Sequence, residues 1–515
     1  MNNQNIVSAL DPLFNPRSIA IIGATNDMNK WGYFTIASAL DGFKGTIYPV
    51  NIREDQVLGR RAYPRVTDIP DNEPVDLAII VIPAQNVASV MKDCVTKGVR
   101  ATVIITAGFA EVGEEGKRLQ DEVVRIAKKG GIRIVGPNCM GFWSASSDLR
   151  AFMFPLQVKE GPIAFVSQGG NIGGAIIGAA FSRGIGFQRY VSCGCTADIQ
   201  IEDYIEHFGH DPEVKVILTY IEGLNDGNRF IEKVREVTKK KPVIAMKPGK
   251  TEAAAKAITS HSGALSGSTS VYASAFRKAG VISAETSEEL LDYAIGFLLQ
   301  PLPKGNRVAI ATPGGSYGVL CADACAMLGL DVIDLPEETI AAFDKIFPPR
   351  WSRGNPVDPA GDRDFPAYFK AGDMLLDLPI VDAIIFMGFG DLTNMEEVFP
   401  DLYLLKNGEK VGSDSKSIQG DLFNIGSNFP DQIYGWIKKY EKPVLTTTFT
   451  NEIPRLEEGI HHAYPSPFRA ARVLAKLVEY KSYLTTRQDY KEGDLDPFQY
   501  WWIGDHVMKG AARKT

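Results

Sequence analysis

One histidine lies in a setting that suits covalent chemistry better than packing. His261 is one of six histidines in the 515-residue chain, and it stands among serines and glycines in ITSHSGALSGS, residues 258–268. A core histidine would lie within a periodic pattern of large apolar side chains, and this segment has almost none. Neutral imidazole is a nucleophile near pH 7, and its nitrogen can carry a covalent group. The segment therefore predicts a nucleophilic histidine, with an inert surface histidine as the alternative.

A phosphorylated histidine would need groups that receive the phosphate and fix the imidazole tautomer. The segment SQGGNIGGA, residues 167–175, follows an apolar strand and opens a small-residue helix, whose first amides are free to face an anion. Its candidate phosphate-binding residues are Ser167, Gln168, Gly169 and Gly170. Glu222, at the end of VILTYIEG, is the candidate carboxylate for the second ring nitrogen and completes a catalytic pair with His261. A solvated or salt-bridged turn acid is the alternative for Glu222.

A second set of candidate turns lies in the first third of the chain. Short apolar runs there end in IIGATNDMNKWG, VNIRE, VIPA, ITAGFAE and GPNCMG. Such a turn before a helix can direct amides, a hydroxyl and the helix dipole at a pyrophosphate. For each turn taken alone, a plain strand-to-helix connection is the alternative. The candidate ligand-binding residues are Gly23, Ala24, Thr25, Asn26, Lys30, Asn51, Arg53, Ile82, Pro83, Thr106, Ala107, Gly108 and Asn138.

Both candidate sites stand where strands of an alternating β/α pattern end. Continuous apolar runs alternate with amphipathic helical patterns, which is typical of parallel sheets covered by helices on both faces. The pattern predicts five strands up to about residue 138, four more from PIAFVSQGG and four more from RVAIATPGG. Ligands bind beyond the carboxyl ends of parallel strands, so these turns are where chemistry is expected.

The same alternation predicts the domain organisation. We expect an α/β protein of three tandem doubly wound domains, Rossmann-like or flavodoxin-like, with mostly parallel sheets. The domains are expected at residues 1–147, 148–299 and 300–480, with a tail at 481–515. An insert at 391–428 breaks the rhythm of the third domain and is assigned no role.

Composition excludes several classes of protein. Lys and Arg number 55 against 62 Asp and Glu, a net charge of -7, so no basic excess is available for a nucleic acid. No apolar stretch is long enough to predict a membrane span, and the N terminus lacks a signal-peptide pattern. The six cysteines form no paired metal-binding motif. We therefore expect a cytoplasmic protein with buried free thiols and no metal site of its own.

The order of these motifs resembles the α subunit of NDP-forming (ADP-forming) acyl-CoA synthetases, relatives of succinyl-CoA synthetase. The resemblance rests on the five N-terminal turns, on SQGG and on KPG followed by TSHSGALSG. It implies that the first domain binds coenzyme A through its turns. It also implies that His261 carries phosphate, that Glu222 orients its ring, and that SQGG receives the phosphate.

The resemblance further implies a reversible ligase reaction. Acyl-CoA, ADP and phosphate would give a carboxylic acid, CoA and ATP through an acyl phosphate and a phosphohistidine. Enzymes of this family bind ATP or ADP with Mg²⁺ in an ATP-grasp domain, and this sequence contains no such module. We therefore expect a separate ATP-grasp β subunit, in a heterotetramer, and a small carboxylic acid or acyl-CoA as substrate.

The chain departs from the family pattern at three places. The common Ser-Gln-Ser-Gly has Gly169 in place of its second serine, which removes a hydroxyl and keeps the amide. The common Asn-Pro-Lys reads Asn51-Ile52-Arg53, which keeps a cation. In the third domain, TPGGSYG stands where the family often has Asn-Ala-Gly-Gly-Pro-Gly.

Two other classes of function compete with the ligase. A nicotinamide-dependent oxidoreductase is disfavoured because the first turn lacks G-x-G-x-x-G and Asn51 stands where a ribose-binding acid would follow the second strand. A non-catalytic, CoA-binding regulatory protein is disfavoured by the presence of both His261 and Glu222.

Overall fold

The computed structural model describes residues 6–254, 269–362, 364–388, 429, 431–448 and 462–486. The chain divides into two compact units, Met1–Leu290 and Leu291–Thr515. Three main sheets are present in the described residues, two in the first unit and one in the second. The α/β class and the mostly parallel sheets that the sequence predicted are confirmed.

The first sheet has five parallel strands in the order β2-β1-β5-β6-β7. All five coincide with predicted strands. The strands β3 and β4 form a separate antiparallel pair. The strands are β1 Ser18–Ile22, β2 Thr46–Val50, β3 Gln56–Val57, β4 Arg60–Arg61, β5 Leu77–Ile80, β6 Ala101–Ile104 and β7 Arg133–Val135, and the helices are α1 Ile6–Phe14, α2 Trp31–Leu40, α3 Ala84–Lys97 and α4 Glu114–Gly130.

The second sheet has seven strands in the order β14-β13-β12-β10-β11-β8-β9, and β8 alone runs antiparallel to its two neighbours β11 and β9. The hairpin of β8 and β9 was not predicted, and the expected boundary at residue 147 falls between its two strands. The strands are β8 Gly141–Ser144, β9 Leu149–Phe152, β10 Ile163–Ser167, β11 Phe187–Ser192, β12 Val216–Tyr220, β13 Val243–Met246 and β14 Ile282–Ala284, and the helices are α5 Gly170–Ser182, α6 Ile201–His210, α7 Gly227–Val237, α8 Thr269–Ala279 and α9 Ser287–Leu299.

The third sheet has five parallel strands in the order β16-β15-β17-β18-β19. The insert at 391–428 and residues 487–515 of the tail lie outside the described residues, and the last helix continues past residue 481. The strands are β15 Arg307–Ala311, β16 Asp331–Val332, β17 Ala383–Met387, β18 Val444–Thr447 and β19 Ala463–Tyr464, and the helices are α10 Gly315–Met327, α11 Glu337–Phe343, α12 Phe365–Asp377, residues 431–440 and α13 Pro467–Thr485.

Burial explains why these segments form strands and helices. Every residue of β1, β10 and β17 is buried, as expected for parallel strands covered on both faces. In contrast, α4 buries one stripe that includes Val123, Ile126 and Ala127. Acidic residues occupy its first turn and lysines its last, which complements the helix dipole, and Gly131 ends it in the left-handed conformation at φ 70°.

Strand order creates one crevice in each sheet. In the first sheet the chain reverses direction across the sheet between β1 and β5, in the second between β10 and β12, and in the third between β15 and β17. The connections leaving such a pair go to opposite sides and leave a cleft at the carboxyl ends. The first two clefts receive the candidate turns that begin at Gly23 and Gln168.

The N-terminal helix α1 covers a buried imidazole on α6. The rings of Phe14 and His207 stack with centroids 4.9 Å apart, and the Arg189 guanidinium lies over Phe14 and pairs with Asp211 at 3.1 Å. Burial, followed by the charge of Arg189, lowers the pKa of His207 to about 4, and the opposing charges of Asp211 and Asp11 do not restore it. His207 is therefore packed as a neutral ring.

This packing makes the attachment of α1 sensitive to acid. The pKa of His207 falls from 6.5 to about 4 on folding. The contribution of its neutral ring to the stability of the folded state is therefore complete above pH 6.5 and is lost as pH falls toward 4. We expect the protection of α1 and α6 amides in hydrogen exchange to weaken by about 2 kcal/mol between pH 7 and pH 5.

The controls separate this effect from general acid destabilisation. His207→Phe keeps the stack on Phe14 without a titrating group, so the extra loss at pH 5 should disappear. His210→Gln removes an exposed imidazole from the same helix, and this variant should still show the extra loss of protection at pH 5. Equal pH dependence in wild type and His207→Phe would contradict the assignment.

Candidate active site

The turn after β1 is held tightly against β5 and α2. Gly23 has φ 96°, and a Cβ there would lie 2.3 Å from the carbonyl oxygen of Val81. A Cβ on Gly32, in the first turn of α2, would lie 2.0 Å from the carbonyl oxygen of Gly23. Only glycines permit these approaches, so the sequence GATNDMNKWG is what lets helix α2 begin next to the strand end.

The donors of this turn already have an acceptor, which the sequence reasoning missed. The Thr25 hydroxyl donates to Glu54 Oε1 at 2.5 Å, and the backbone and side-chain amides of Asn26 donate to Glu54 Oε2 at 3.1 and 2.5 Å. Hydrogen bonding, from Thr25 above all, lowers the pKa of Glu54. Asn51 donates to the carbonyl of Ala24 at 2.7 Å. The acid in VNIRE was visible in the sequence, but its contact with the turn was not.

Two of the predicted cations lie on the surface beside this turn. Lys30 pairs with Asp27 at 3.3 Å, just before α2. The side chain of Arg53 is exposed, and its backbone amide donates to Asn51 Oδ1 at 2.8 Å. The apolar side chains of Met28, Trp31 and Ile52 are also exposed, at 64%, 47% and 80%. This face therefore offers both charge and apolar surface to a ligand.

The remaining predicted ligand residues cluster at the ends of β5, β6 and β7. A Cβ on Gly23 would lie 2.9 Å from Ile82 Cγ2, which places the first turn against this cluster. The Thr106 hydroxyl donates to the carbonyl of Ile82 at 2.7 Å, and Asn138, at φ 56°, donates its amide to the carbonyl of Thr106 at 2.9 Å. Pro83 is exposed at the start of α3, and Ala107 is exposed beside Gly108.

A second acid missed by sequence reasoning organises the loop after β6. Glu111 accepts hydrogen bonds from the amides of Gly108 at 2.6 Å and Phe109 at 3.1 Å. The Cys195 thiol, from the loop after β11, donates to Glu111 Oε2 at 3.5 Å. Burial raises the pKa of Cys195 to about 12, and the charge of Glu111 adds to this rise, so the thiol is protonated.

Residues 136–140 connect the two candidate sites. The amide of Cys195 donates to the carbonyl of Pro137 at 2.9 Å, and the amide of Met140 donates to Ser192 Oγ at 3.0 Å. A Cβ on Gly170 would lie 3.1 Å from Met140 Cβ. The segment that contacts Thr106 through Asn138 therefore also packs against the predicted phosphate-binding helix start.

The predicted phosphate turn leaves its helix amides without a side-chain cap. Ser167 is fully buried and donates its hydroxyl to the carbonyl of Gly169 at 2.7 Å. Helix α5 begins at Gly170, and its N-cap, Gly169, has no side chain to accept from the first amides. An anion at this end would meet amide donors and the positive end of the helix dipole.

Glu222 lies beside this helix start, as the sequence predicted. It is 6% exposed, and a Cβ on Gly169 would lie 3.4 Å from its Oε1. Gln168 fixes its backbone: Oε1 accepts from the amides of Glu222 at 2.5 Å and Gly223 at 2.9 Å, and Nε2 donates to the carbonyl of Gly223 at 3.0 Å. Burial, with the charge of Glu222, raises the pKa of Tyr220 to about 12.

The space around Gly169 is too small for a side chain. A Cβ at this position would lie 2.7 Å from Ile172 Cγ2 and 3.1 Å from Tyr220 Cε1. Gly169 therefore replaces the common serine of the family pattern at a position where these two side chains leave little room.

Lys247 is a further charged residue near Glu222 that sequence reasoning did not select. It follows β13, the neighbour of β12, and its ammonium lies 4.6 Å from the centre of the Tyr272 ring. It donates to the carbonyl of Pro248 at 2.7 Å. Burial lowers the pKa of Lys247, and the charge of Glu222 opposes that shift. His261 lies outside the described residues, between residues 254 and 269.

The described residues hold no group of three or more His, Cys, Asp or Glu side chains placed to bind a metal ion. A search of the described helices for a segment long and apolar enough to span a bilayer gave no candidate.

Three family models match successive parts of the chain. Residues 17–144 match the family model described as CoA binding domain, residues 160–297 the succinyl-CoA ligase like flavodoxin domain, and residues 308–407 the Ligase-CoA domain. The α subunit of ADP-forming acetate–CoA ligase II of Pyrococcus furiosus is 44% identical over 409 residues, which cover 78% of this chain and 89% of that protein. This chain belongs to the family of ADP-forming acyl-CoA synthetases.

Other members of the family support this assignment. The ADP-forming 4-hydroxybutyrate–CoA ligase of Nitrosopumilus maritimus is 37% identical, over 73% of this chain and 54% of that protein. A solved acetyl-CoA synthetase of Candidatus Korarchaeum cryptofilum, in complex with phosphate and ADP, has a TM-score of 0.78 and 32% identity, covering 94% of this chain and 99% of that chain. The predicted family, fold class and ligase class are confirmed, which disfavours the oxidoreductase alternative.

Substitution of Gly169 by alanine tests whether this crowding matters for the candidate site. In Gly169→Ala, the added Cβ must push aside Ile172, at 2.7 Å, and Tyr220, at 3.1 Å, next to Glu222, and a small misplacement of a positioned group can lower a rate by roughly 10- to 100-fold. We expect this loss in the steady-state ligase rate of the assembled enzyme.

Gly178 provides the matched control on the same helix. A Cβ there has no atom within 4 Å, so Gly178→Ala should retain activity and stabilise α5 by about 0.5–1 kcal/mol in thermal denaturation. Equal rates in the two variants would show that Gly169 does not set the geometry of Glu222.

Proposed function

We propose that this chain is the α subunit of an ADP-forming acyl-CoA synthetase that transfers phosphate through His261. The observation that carries the proposal is the buried Glu222 carboxylate beside the uncapped start of α5, in a chain of this family. A carboxylate there can hold one imidazole nitrogen while the amides after Gly169 receive a phosphoryl group on the other.

The proposed reaction has three balanced steps. An oxygen of inorganic phosphate attacks the thioester carbon, the C–S bond breaks, and CoA leaves as a thiolate that takes up a proton. A nitrogen of His261 then attacks the phosphorus of the acyl phosphate, and the P–O bond breaks to release the carboxylate. Finally, an oxygen of ADP attacks the phosphorus, and the P–N bond breaks to give ATP and free His261.

Each group of this chain has a defined role in the proposal. Glu222 keeps the attacking nitrogen of His261 unprotonated by accepting a hydrogen bond from the N–H of the other ring nitrogen. Gln168 is a positioning residue because its three hydrogen bonds fix the backbone of Glu222 and Gly223. The phosphate is received at the predicted turn of Ser167, Gln168, Gly169 and Gly170, through amides that follow Gln168, because the Gln168 amide donates to the carbonyl of Tyr220. Phosphoryl transfer needs positioning and charge neutralisation most, and this turn supplies both.

We propose that the first sheet binds coenzyme A, with its phosphates toward the β1 turn and its thiol end toward the loop after β6. Support comes from the CoA-binding match over residues 17–144 and from the path of contacts through Asn138 and Met140 to Gly170. Lys30 and Arg53 lie on the surface beside this turn, and both carry a charge that can pair with a phosphate. The proposed contact residues are Gly23, Ala24, Thr25, Asn26, Lys30, Asn51, Arg53, Ile82, Pro83, Thr106, Ala107, Gly108 and Asn138.

We propose that an ATP-grasp β subunit supplies the site for ADP, ATP and Mg²⁺, in a heterotetramer. Two relatives from Pyrococcus furiosus are named α subunits, and this chain covers only about half of several longer relatives, such as 54% of the 4-hydroxybutyrate enzyme. The substrate in this proposal is a small carboxylic acid or its acyl-CoA, the class named for those relatives. The free cysteines suit a reducing cytoplasm.

Phosphorylation of His261 is the direct test of the proposed mechanism. Enzyme reconstituted with its partner and incubated with γ-labelled ATP should acquire a label that is labile to acid and stable to base, as a phosphoramidate is. His261→Asn should abolish the label, and Glu222→Gln should slow its appearance without removing the attacking nitrogen. A label that persists in His261→Asn, or that maps to Ser260 or Ser262, contradicts the mechanism.

A second experiment tests whether the nucleotide site lies on a separate subunit. The purified chain alone should form no ATP from acyl-CoA, ADP and phosphate, and adding the ATP-grasp subunit should restore the reaction. CoA binding to the isolated chain serves as the control for correct folding. Sustained ATP formation by the chain alone would show that its nucleotide site lies within these 515 residues.

A further inference from the structure

The turn after β1 has few donors left for a ligand. The amide of Gly23 donates to the carbonyl of Val50 at 2.9 Å, that of Asp27 to Thr25 Oγ1 at 3.2 Å, and that of Asn29 to Asp27 Oδ1 at 3.0 Å. The Asn26 amide and the Thr25 hydroxyl are used by Glu54. A phosphate at this turn must therefore displace an acceptor that is already in place.

Glu54 is the acceptor that most resembles a phosphate. Its two oxygens receive four hydrogen bonds, one from Thr25, two from Asn26 and one from the Asn51 amide at 3.3 Å. The bond from Thr25 is the main cause of its lowered pKa, so the carboxylate is charged at neutral pH. In the described part of the chain, Glu54 forms no ion pair within 4 Å, and the charge of Lys30 makes the smallest contribution to its lowered pKa.

We propose that Glu54 is an internal competitor for the phosphates of CoA, occupying the donors of the β1 turn until the coenzyme displaces it. This inference rests on the proposed function, since it takes CoA as the ligand of the first sheet. Carboxylate and phosphate oxygens accept from the same donors, and two anions cannot share them without strong repulsion. CoA therefore binds more weakly than the same turn would allow if Glu54 were uncharged.

The structure lets Glu54 leave without unfolding the turn. Asn26 also holds the β3–β4 hairpin, since its Nδ2 donates to the carbonyl of Gln56 at 2.8 Å and its Oδ1 accepts from the Leu58 amide at 2.9 Å. Asn51 Oδ1 accepts from the Arg53 and Glu54 amides at 2.8 and 3.2 Å. These bonds keep the backbone in place, so displacement requires rotation of one side chain.

The neighbouring acid provides a matched control. Asp55 is exposed, and its side chain makes none of the hydrogen bonds to the turn in the part of the chain that the structure describes. Glu54→Gln and Asp55→Asn remove the same charge from adjacent positions. A general electrostatic effect would move CoA affinity in both variants, whereas competition for the donors affects Glu54→Gln alone.

The experiment is calorimetric titration of the full chain with CoA at low ionic strength, and with pantetheine, which carries no phosphate. We expect Glu54→Gln to bind CoA about tenfold more tightly than wild type, since the charge-assisted bonds are lost, and Asp55→Asn to bind within about twofold. Pantetheine affinity should be equal in all three proteins. Glu54→Ala, which frees every donor, should also bind CoA more tightly.

The outcomes distinguish this inference from the proposed function. CoA binding that is unchanged or weaker in both Glu54 variants overturns the role of Glu54 and leaves the CoA site intact; weaker binding would make Glu54 a ligand contact. A wild-type chain that is folded but binds no CoA overturns the proposed coenzyme site, and the inference falls with it.

Discussion

Three hydrogen bonds from the side chain of Gln168 join the ends of the two strands on which the candidate site depends. One side-chain oxygen accepts from the amides of Glu222 and Gly223, while the nitrogen donates to the carbonyl of Gly223. The backbone amide of Gln168 also donates to the carbonyl of Tyr220 at 3.1 Å. The turn that opens α5 and the turn that presents Glu222 are therefore one bonded unit, and the position of the carboxylate relative to the helix start follows from it.

A similar local arrangement occurs in the second unit of the chain. The Thr312 hydroxyl donates to the carbonyl of Gly314 at 2.8 Å, as the Ser167 hydroxyl does to that of Gly169 at 2.7 Å. Each of these glycines is the N-cap of the helix that follows and has no side chain to accept from its first amides. In both turns a hydroxyl two residues before the N-cap shapes the backbone. The two N-cap glycines differ in their surroundings, because a Cβ on Gly169 would lie 2.7 Å from Ile172 Cγ2, whereas a Cβ on Gly314 would meet no atom within 4 Å.

The sequence predicted the parts of the fold that have a periodic signal. Fully buried parallel strands read as continuous apolar runs, and the turns at their ends identified Gln168, Glu222 and the cluster at Thr106. It missed the short antiparallel hairpin of β8 and β9 and the short edge strands β14 and β19. Such strands form because a sheet edge is available, which is a property of the tertiary structure.

The two acids were missed for a different reason. Glu54 lies in a loop and Glu111 in a single 3-10 turn, Ala110–Val112, where an acid is most often solvated. Nothing in their local pattern shows that they accept hydrogen bonds from backbone amides. Lys247 follows a strand that was predicted, yet its interaction with Tyr272 depends on a helix that begins more than 20 residues later. Pairing across such distances is set by the packing of elements.

The segment at residues 136–140 has a consequence for the two candidate sites. It contacts Thr106 on one side and Gly170 on the other, with a cis peptide before Pro137 and left-handed backbone at Asn138. Coupling between two binding events is reciprocal: if an occupied coenzyme turn favours one state of the phosphate turn, that state favours coenzyme binding by the same factor. Under the proposed function, the order in which substrates bind and leave would then depend on these five residues as well as on the two turns.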